Sequence, residues 1–146
     1  MKFDQLSATA HQMVADNKGL LAADESTGTI GKRFEVISVA NEEDSRRDYR
    51  ELLFRTSGLG KFISGAILYD ETLRQSAADG TAFNALLEGE GILPGIKVDT
   101  GAKPLAGSPS ETVTEGLDGL ATRVEDYAGL GARFAKWRAV IRIGDG

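Results

Sequence analysis

The sequence predicts an α/β fold built on a parallel sheet. Four apolar segments show little polar alternation, which is typical of strands that are buried on both faces of a sheet. Segments with helical periodicity lie between them, and each connection is long enough to contain a helix, as parallel pairing requires. The predicted strands are residues 19–24, 62–69, 92–98 and 134–143.

Apolar residues at helical spacing predict the remaining elements. We expect helices over residues 2–17, 27–37 and 75–87, the last interrupted near Asp79-Gly80. We also expect a long helix that begins at Asn41 and a later helix that ends at Gly129. The expected buried stripe of the long helix consists of Tyr49, Leu52, Leu53 and Thr56, and that of the later helix consists of Leu117, Leu120, Val124 and Tyr127.

Two segments should interrupt this regularity. Pro94-Gly95 inside the third strand predicts a bend, because proline cannot donate to the ladder and glycine weakens it. Residues 99–109 contain two of the three prolines and two glycines, which indicates a long loop of a kind that is often functional.

Length, composition and charge limit the classes of function that the chain can have. The 146 residues suit one domain over 1–146, with 41% hydrophobic and 27% charged residues. No apolar run approaches the roughly 18 residues of a membrane span, and the start of the chain has no signal-peptide pattern, so we expect a cytoplasmic protein without a membrane partner. The net charge of -5 disfavours nucleic acid, and one histidine with no cysteine excludes His-rich and thiolate metal sites.

Each predicted strand carries polar side chains toward its carboxyl end, the end where ligands bind in parallel α/β sheets. They are Asp24 and Ser26 on the first strand, Asp70 and Glu71 on the second, Lys97 and Asp99 on the third, and Lys136 and Arg138 on the fourth. Because the strand ends of a closed or curled parallel sheet converge, we expect Asp24 to meet the three cations of this set.

The two cations of the fourth strand are the most informative. Lys136 and Arg138 are two residues apart, so their side chains point to the same face of a largely apolar strand. Such cations are almost never buried unpaired, so they predict a carboxylate or phosphate partner. Near the start of the helix over 27–37, a phosphate could be held by Ser26, Thr29, Lys32 and Arg33.

Simpler interpretations stay open for single residues. Lys97 alone could be a strand-end side chain that reaches solvent, and Asp24 could be the N-cap of the helix over 27–37. The charges over 42–47 are typical of a solvated helix face. His11 is predicted to lie on the surface and Trp137 to pack.

Five sequence blocks occur in order along the chain: LLAADESTGTIGKRF, ISGAILYDETL, GILPGIKVDTG, EGLDGL and FAKWRAVIRI. Together they resemble class I fructose-bisphosphate aldolase, and the likeness covers almost the whole chain. The resemblance implies the first half of a (β/α)8 TIM barrel, consisting of an N-terminal helix and four parallel βα units.

The same resemblance implies an activity. It is the reversible aldol cleavage of fructose 1,6-bisphosphate to dihydroxyacetone phosphate and glyceraldehyde 3-phosphate, in glycolysis and gluconeogenesis. The family works through a lysine Schiff base and uses no metal or other cofactor. The implied partners are a sugar bisphosphate, triose phosphates and, at full length, further copies of the chain in a homo-oligomer.

The resemblance also implies a role for each residue of this chain that matches a functional residue of the family. Asp24 corresponds to the aspartate that handles the substrate hydroxyl at the breaking bond, and Lys136 to the lysine beside it that serves proton transfer and charge stabilisation. Lys97 and Arg138 correspond to substrate-contacting cations. The phosphate remote from the carbonyl would be contacted by Ser26, Thr29, Lys32 and Arg33.

Length is the largest departure from the family. A (β/α)8 barrel takes about 250 residues, so we expect the chain to be truncated after its fourth strand. The Schiff-base lysine lies on a later strand of the family and should be absent, which predicts an inactive isolated chain. Two alternatives are a non-catalytic half-barrel that binds sugar phosphates or self-associates, and a different (β/α) enzyme in which Lys136 forms the imine.

Overall fold

The structure, a computed structural model, describes residues 3–143. Within them, the α-helices are α1 (Phe3–Met13), α2 (Thr27–Val36), α3 (Glu43–Phe54), α4 (Asp70–Arg74), α5 (Phe83–Gly89) and α6 (Leu120–Gly129). The strands are β1 (Gly19–Ala23), β2 (Ile63–Leu68), β3 (Leu93–Lys97), β4 (Gly101–Pro104), β5 (Thr112–Glu115) and β6 (Phe134–Lys136). Lys2, where the first predicted helix begins, lies outside the described residues.

Four strands form one parallel sheet in the order β1-β2-β3-β6. β1 pairs with β2 and β2 with β3, and β3 pairs with β6 after the β4–β5 segment, with Ala22 opposite Ile67 and Lys97 opposite Lys136. Helices occupy the crossovers, so the predicted α/β architecture with four parallel strands is confirmed. Among the described helices, none is both long and apolar enough to cross a membrane.

The fourth strand of this sheet is shorter than predicted. β6 ends at Lys136, whereas the apolar pattern predicted a strand to residue 143. Beyond it, the Arg138 N–H donates to the Asp99 carboxylate and the Arg138 carbonyl accepts from the Thr114 hydroxyl. Side chains thus satisfy the backbone groups of Arg138, where a continued strand would use a neighbouring backbone.

A β-hairpin replaces the loop predicted over 99–109. β4 and β5 pair antiparallel, with Gly101 opposite Glu115 and Pro104 opposite Thr112. The loop prediction was wrong for residues 101–104, which form β4, whereas residues 105–109 lie in the irregular turn of the hairpin. Gly107 adopts a left-handed φ of 80° in its turn, and the β-branched residues of β5 favour a strand.

The helical face of α3 also differs from the prediction. Leu52 of the predicted stripe is 71% exposed, whereas Phe54 and the guanidinium of Arg50 are buried. The pattern assigned charged residues to solvent, but Arg50 has an acidic partner that compensates its burial. Similarly, Leu117 of the later stripe is 70% exposed while Tyr127 is buried.

The region after β2 contains two short helices, whereas the interrupted helix was predicted over 75–87. α4 begins directly at Asp70, and α5 begins only at Phe83. An antiparallel bridge between Ser76 and Ala82 separates them, which matches the interruption that Asp79-Gly80 suggested.

Aromatic and aliphatic side chains fill the space between the sheet and its helices. Phe54 and Phe83 are both nearly fully buried and meet edge to face, with ring centroids 5.3 Å apart. Leu68 and Ile96 extend this core from the sheet. Trp137 packs against it, as expected, and His11 is exposed, also as expected.

β1 is more exposed than its apolar sequence predicted. Leu20 retains 44% exposure and Ala22 is exposed, while Ala23 is fully buried. Within residues 3–143, β1 pairs with a strand on one side only, which leaves part of its surface uncovered. The expectation of a first strand buried on both faces is therefore wrong for this structure.

Candidate active site

One open cavity of about 650 Å³ lies at the carboxyl ends of the four parallel strands. Its walls come from the segments after β1, β2, β3 and β6, from the start of α2, and from α6. Seven of the predicted site residues line it: Asp24, Ser26, Thr29, Arg33, Lys97, Lys136 and Arg138. Lys32, the eighth, is exposed on α2 and is not part of this lining.

Asp24 and Lys136 form the central contact of the cavity. The Lys136 ammonium donates to Asp24 Oδ2 at 2.5 Å, across the full width of the sheet from the end of β1 to the end of β6. Their side chains are 11% and 29% exposed, so the pair is shielded yet accessible from the cavity. A carboxylate and an amine held in contact can exchange or jointly stabilise a proton on a bound hydroxyl.

The start of α2 supplies hydroxyl groups to the same cavity. Ser26 is the N-cap, and its Oγ accepts from the Thr29 N–H at 3.4 Å and lies 3.1 Å from the Thr29 hydroxyl. Capping by Ser26 excludes the simpler interpretation of Asp24 as the cap. Free N–H groups and two hydroxyls at a helix N-terminus favour an anion.

Glu25 links the cavity to a buried guanidinium that sequence reasoning missed. Its carboxylate pairs with Arg33 of α2, and its Oε2 lies 2.9 Å from Arg50 Nη2 of α3. Arg50 is 2% exposed and also donates to the Glu25 carbonyl at 3.1 Å. Burial lowers the pKa of Arg50 from its usual value, although the charge of Glu25 opposes this shift.

Two donors of Arg50 have no partner among the described residues. Nε and Nη1 are buried without a hydrogen bond, and Glu25 Oε2 faces Nη2 as an ion pair without hydrogen-bond alignment. The Tyr49 ring lies 5.1 Å from the guanidinium carbon and supplies a cation–π contact. The only sequence signal for this burial is that Arg50 precedes Phe54 by one helical turn.

Lys97 and Asp99 form a second ion pair at the end of β3. Lys97 Nζ donates to Asp99 Oδ1 at 2.6 Å and to the Asp99 carbonyl at 2.5 Å. Burial raises the pKa of Asp99. Hydrogen bonds from Lys97 and the Arg138 N–H lower it, as do the positive charges of Lys97 and Lys136, and the resulting pKa lies below the ordinary value. Asp99 is therefore a carboxylate at neutral pH.

Arg138 reaches the cavity from the segment after β6. The predicted reason was its position two residues after Lys136 in one strand, but the strand ends at Lys136. Its backbone is instead fixed by Asp99 and Thr114. Both cations line the cavity, as the spacing predicted, although a different backbone geometry places Arg138 there.

Helix α6 adds two groups that were not predicted. Arg123 lines the cavity and donates to the carbonyls of Val98 and Gly116, at 2.9 and 2.5 Å. Tyr127 also lines it, and burial, followed by a hydrogen bond with Asp70, raises its pKa. The sequence pattern marked Tyr127 only as an apolar stripe residue and gave no sign of Arg123.

The second strand contributes one of its two predicted carboxylates. Asp70 lines the cavity, whereas Glu71 is paired outside it with Arg46, at 2.6 and 2.8 Å. The Arg46 side chain is only 13% exposed, so this charge does not belong to a solvated helix face as expected. Across residues 3–143, no three His, Asp or Glu side chains are grouped as metal ligands would be.

A parallel α/β sheet whose strand ends surround one polar cavity is the arrangement of a (β/α)-barrel enzyme. The family model for "Fructose-bisphosphate aldolase class-I" matches residues 5–146. The chain therefore belongs to the class I fructose-bisphosphate aldolase family, as the sequence blocks predicted.

Individual relatives agree with this assignment. "Probable fructose-bisphosphate aldolase class 1" of Xanthomonas campestris pv. campestris is 59% identical over 99% of this chain and 43% of its own length. "Fructose-bisphosphate aldolase 6, cytosolic" of Arabidopsis thaliana is 56% identical over 97% of this chain and 39% of its own length. The chain thus spans about two fifths of the length of the curated relatives it matches.

A solved structure matches the fold. It is fructose-bisphosphate aldolase from Plasmodium falciparum, in complex with TRAP and a small-molecule inhibitor. It superposes with a TM-score of 0.91 at 53% identity, over 92% of this chain and 39% of that one. The predicted fold class, the opening half of an aldolase TIM barrel, is thereby confirmed.

Proposed function

We propose that this chain carries one half of the active site of a class I fructose-bisphosphate aldolase. The complete reaction is the reversible cleavage of fructose 1,6-bisphosphate to dihydroxyacetone phosphate and glyceraldehyde 3-phosphate. The contact between Lys136 and Asp24 in a cavity lined by further cations is the observation that carries the proposal. Family membership supplies the substrate class.

Asp24 and Lys136 would act on the hydroxyl beside the breaking bond, one by accepting its proton and the other by stabilising charge on its oxygen. The Asp24 carboxylate accepts that proton as the hydroxyl carbon becomes the new carbonyl, and the Lys136 ammonium stabilises the charge that develops on the oxygen. The electron pair of the broken carbon–carbon bond passes to the imine formed at the substrate ketone. The enamine that results then takes up a proton.

The imine-forming lysine is proposed to lie outside these 146 residues. In the family that the sequence resembles, the imine-forming lysine belongs to a later strand, and Lys136 corresponds to the second active-site lysine. Borohydride treatment in the presence of dihydroxyacetone phosphate should therefore leave this chain without a covalent adduct. A trapped adduct that disappears in Lys136→Met would instead make Lys136 the imine former.

The cations around the central pair suit the phosphates of the substrate. Lys97 and Arg138 line the cavity from the end of β3 and the segment after β6. The hydroxyls of Ser26 and Thr29 line it from the start of α2, and Arg33 lines it from the last turn of that helix. Cations and hydroxyls from separate segments around the Asp24–Lys136 contact suit a ligand that carries more than one phosphate. Lys32 remains a weaker candidate for the same phosphate, because it is outside the cavity lining.

A chimera tests the proposal directly. This chain would replace the matching N-terminal part of the Xanthomonas relative, and cleavage of fructose 1,6-bisphosphate would be measured. We expect an active chimera that loses at least about a hundredfold in kcat with Lys136→Met, as removal of a proton-transfer group does. Lys61→Met, which removes an exposed lysine after α3, is the matched control and should retain activity.

The outcome that contradicts the proposal is a folded chimera without activity beside an active parent relative. Retention of full activity by the Lys136→Met chimera would also contradict the role assigned to Lys136. A circular-dichroism melt of each variant separates loss of function from loss of fold.

A second candidate function is a half-barrel that binds sugar phosphates without turnover, or that self-associates. The exposure of Leu20 on β1 favours association, and the cationic cavity favours binding. Calorimetry of the isolated chain with fructose 1,6-bisphosphate tests the binding: saturable, salt-sensitive binding supports a ligand-binding half-site, and its absence leaves only self-association. The relatives named cytosolic and cytoplasmic suggest the same compartment for this chain.

A further inference from the structure

One buried carboxylate joins three separate segments of the cavity wall. The Asp99 side chain is 1% exposed and accepts hydrogen bonds from the Lys97 ammonium at 2.6 Å, the Gly101 N–H at 3.2 Å and the Arg138 N–H at 3.1 Å. These donors belong to the end of β3, the start of the β4–β5 hairpin and the segment after β6. Asp99 takes no part in the proton transfer proposed for Asp24 and Lys136.

Asp99 restricts the orientation of Lys97. The ammonium group has three donor hydrogens, and two of them are directed to the carboxylate and the carbonyl of Asp99. The Lys97 side chain is 16% exposed and lines the cavity. One donor therefore remains for a ligand, and its direction is set by the two bonds to Asp99.

The same carboxylate fixes the backbone from which the Arg138 side chain extends. Regular strand pairing stops at Lys136, so no strand ladder holds residue 138. The Arg138 N–H is bound by Asp99 Oδ2, and its carbonyl accepts from the Thr114 hydroxyl at 2.8 Å. Without Asp99, this anchoring of the segment to β3 would be lost.

Charge alone does not explain why a carboxylate occupies this position. Asp99 cancels the positive charge of Lys97 and lies on the cavity wall, where it should weaken the attraction of an anionic ligand. If the carboxylate nevertheless improves ligand binding, it does so by fixing the positions of the donor groups. Fixed donors bind a ligand with less loss of conformational freedom than mobile ones do.

We propose that Asp99 is a positioning residue, which directs the Lys97 ammonium and holds the Arg138 segment so that both cations meet one anionic group of the ligand. The ligand in this statement rests on the proposed function, whereas the coupling of the three donors does not. Asp99 itself touches no reacting atom in this assignment.

A double-mutant cycle in the chain tests the positioning role. Binding of fructose 1,6-bisphosphate is measured for the parent, Asp99→Asn, Lys97→Met and the double variant. Because part of the effect of Asp99 passes through Lys97 and the rest through the Arg138 segment, Asp99→Asn should weaken binding about tenfold in the parent and less than about threefold when Lys97 is already Met. Asp16→Asn, at an exposed position before β1, is the matched control and should leave the affinity unchanged.

A purely structural role predicts a different cycle. In that case Asp99→Asn weakens binding by the same factor whether residue 97 is Lys or Met, and this result overturns the proposal. An increase of affinity in Asp99→Asn alone overturns it too, since it would make the carboxylate only a repulsive charge.

Backbone amide signals provide a readout that needs neither a ligand nor a variant. In nuclear magnetic resonance spectra of the chain, the Gly101 and Arg138 amides should shift together as Asp99 is protonated, with one midpoint below the ordinary value of about 3.9. Separate midpoints, or no shift, overturn the proposal. If the parent chain binds no sugar bisphosphate, the proposed function loses support, whereas the amide signals still test whether Asp99 joins the two segments.

Discussion

The ring of Phe134 in β6 occupies the space above Gly95 in β3. A Cβ atom built on Gly95 would lie 2.2 Å from Phe134 Cζ, far inside van der Waals contact. A Cβ on Gly65 of β2 would meet the same ring and Leu20 of β1, each at 2.9 Å. Glycines in the two central strands therefore make room for large side chains from the two outer strands.

This relationship predicts the effect of Gly95→Ala. The added methyl group has no space unless Phe134 moves, so the free energy of unfolding should fall by about 1–3 kcal/mol, as overpacking does. Urea denaturation measures the change through its midpoint. Gly89→Ala at the end of α5 is the control, since a Cβ there meets nothing within 4 Å, and it should not destabilise the chain. Equal midpoints for Gly95→Ala and the parent would contradict the packing.

The same packing explains why the bend expected at Pro94-Gly95 is absent. The ladder between β2 and β3 runs in unbroken register from Leu93 to Ile96. Proline and glycine usually weaken strands, but Pro94 still accepts from the Arg133 N–H at 2.8 Å. Gly95 is required by the approach of Phe134, which no local sequence pattern reveals.

The buried ion pair between Arg50 and Glu25 leads to a second prediction. Arg50→Met leaves the Glu25 carboxylate, which is 8% exposed, with Arg33 as its remaining partner. Removing one member of such a pair should lower the free energy of unfolding by about 3 kcal/mol. The two unpartnered donors of Arg50 keep this value at the low end of the usual range.

Two further variants make this prediction specific. Arg47→Met on the same helix removes pairs with two exposed carboxylates, Asp44 and Asp48, and should cost less than about 1 kcal/mol. Combining Glu25→Gln with Arg50→Met should cost less than the two single changes added together, because the uncompensated charge is then gone. Additive costs in urea denaturation would show that the two residues do not act as a pair.

The sequence predicts the strands of this protein and the residues at their ends better than it predicts which side chains pair. The four parallel strands were predictable because buried strands form apolar runs, and their order follows because strands joined by one crossover usually lie side by side. The convergence of Asp24 and Lys136 was predictable for the same reason, since both belong to strand ends. Side-chain partners were not: the pairing of Arg33 with Glu25 depends on tertiary contacts that periodicity does not encode.

The pair of Glu71 and Arg46 gives a prediction on pH. The hydrogen bonds from Arg46, against some burial, lower the pKa of Glu71 below its ordinary value. A carboxylate whose pKa is lower in the folded state stabilises the fold above the unfolded pKa, near 4.3, and this contribution is lost as pH falls through the folded pKa. Glu71→Gln should therefore cost about 1 kcal/mol at neutral pH and nothing in strong acid.

Urea denaturation over a series of pH values checks this expectation. The difference between parent and Glu71→Gln should stay constant above about pH 5.5 and shrink below the unfolded pKa. In an Arg46→Met background the neutral-pH advantage of Glu71 should disappear. A difference that grows as pH falls has the opposite sign and would refute the assignment.

The exposed edge formed by β1 predicts self-association of the 146-residue chain. Leu20 is 44% exposed on a strand that pairs on one side only within the described residues. Such edges accept further strands, and natural proteins protect them with charge. Leu20→Lys should therefore reduce association in sedimentation velocity, whereas Leu52→Lys, on the 71% exposed outer face of α3, should leave it largely unchanged. Pairing at β1 would make the sedimentation coefficient and the unfolding midpoint depend on protein concentration. The role of this edge would therefore be contradicted if the parent chain sedimented as a monomer and unfolded reversibly at a midpoint independent of concentration.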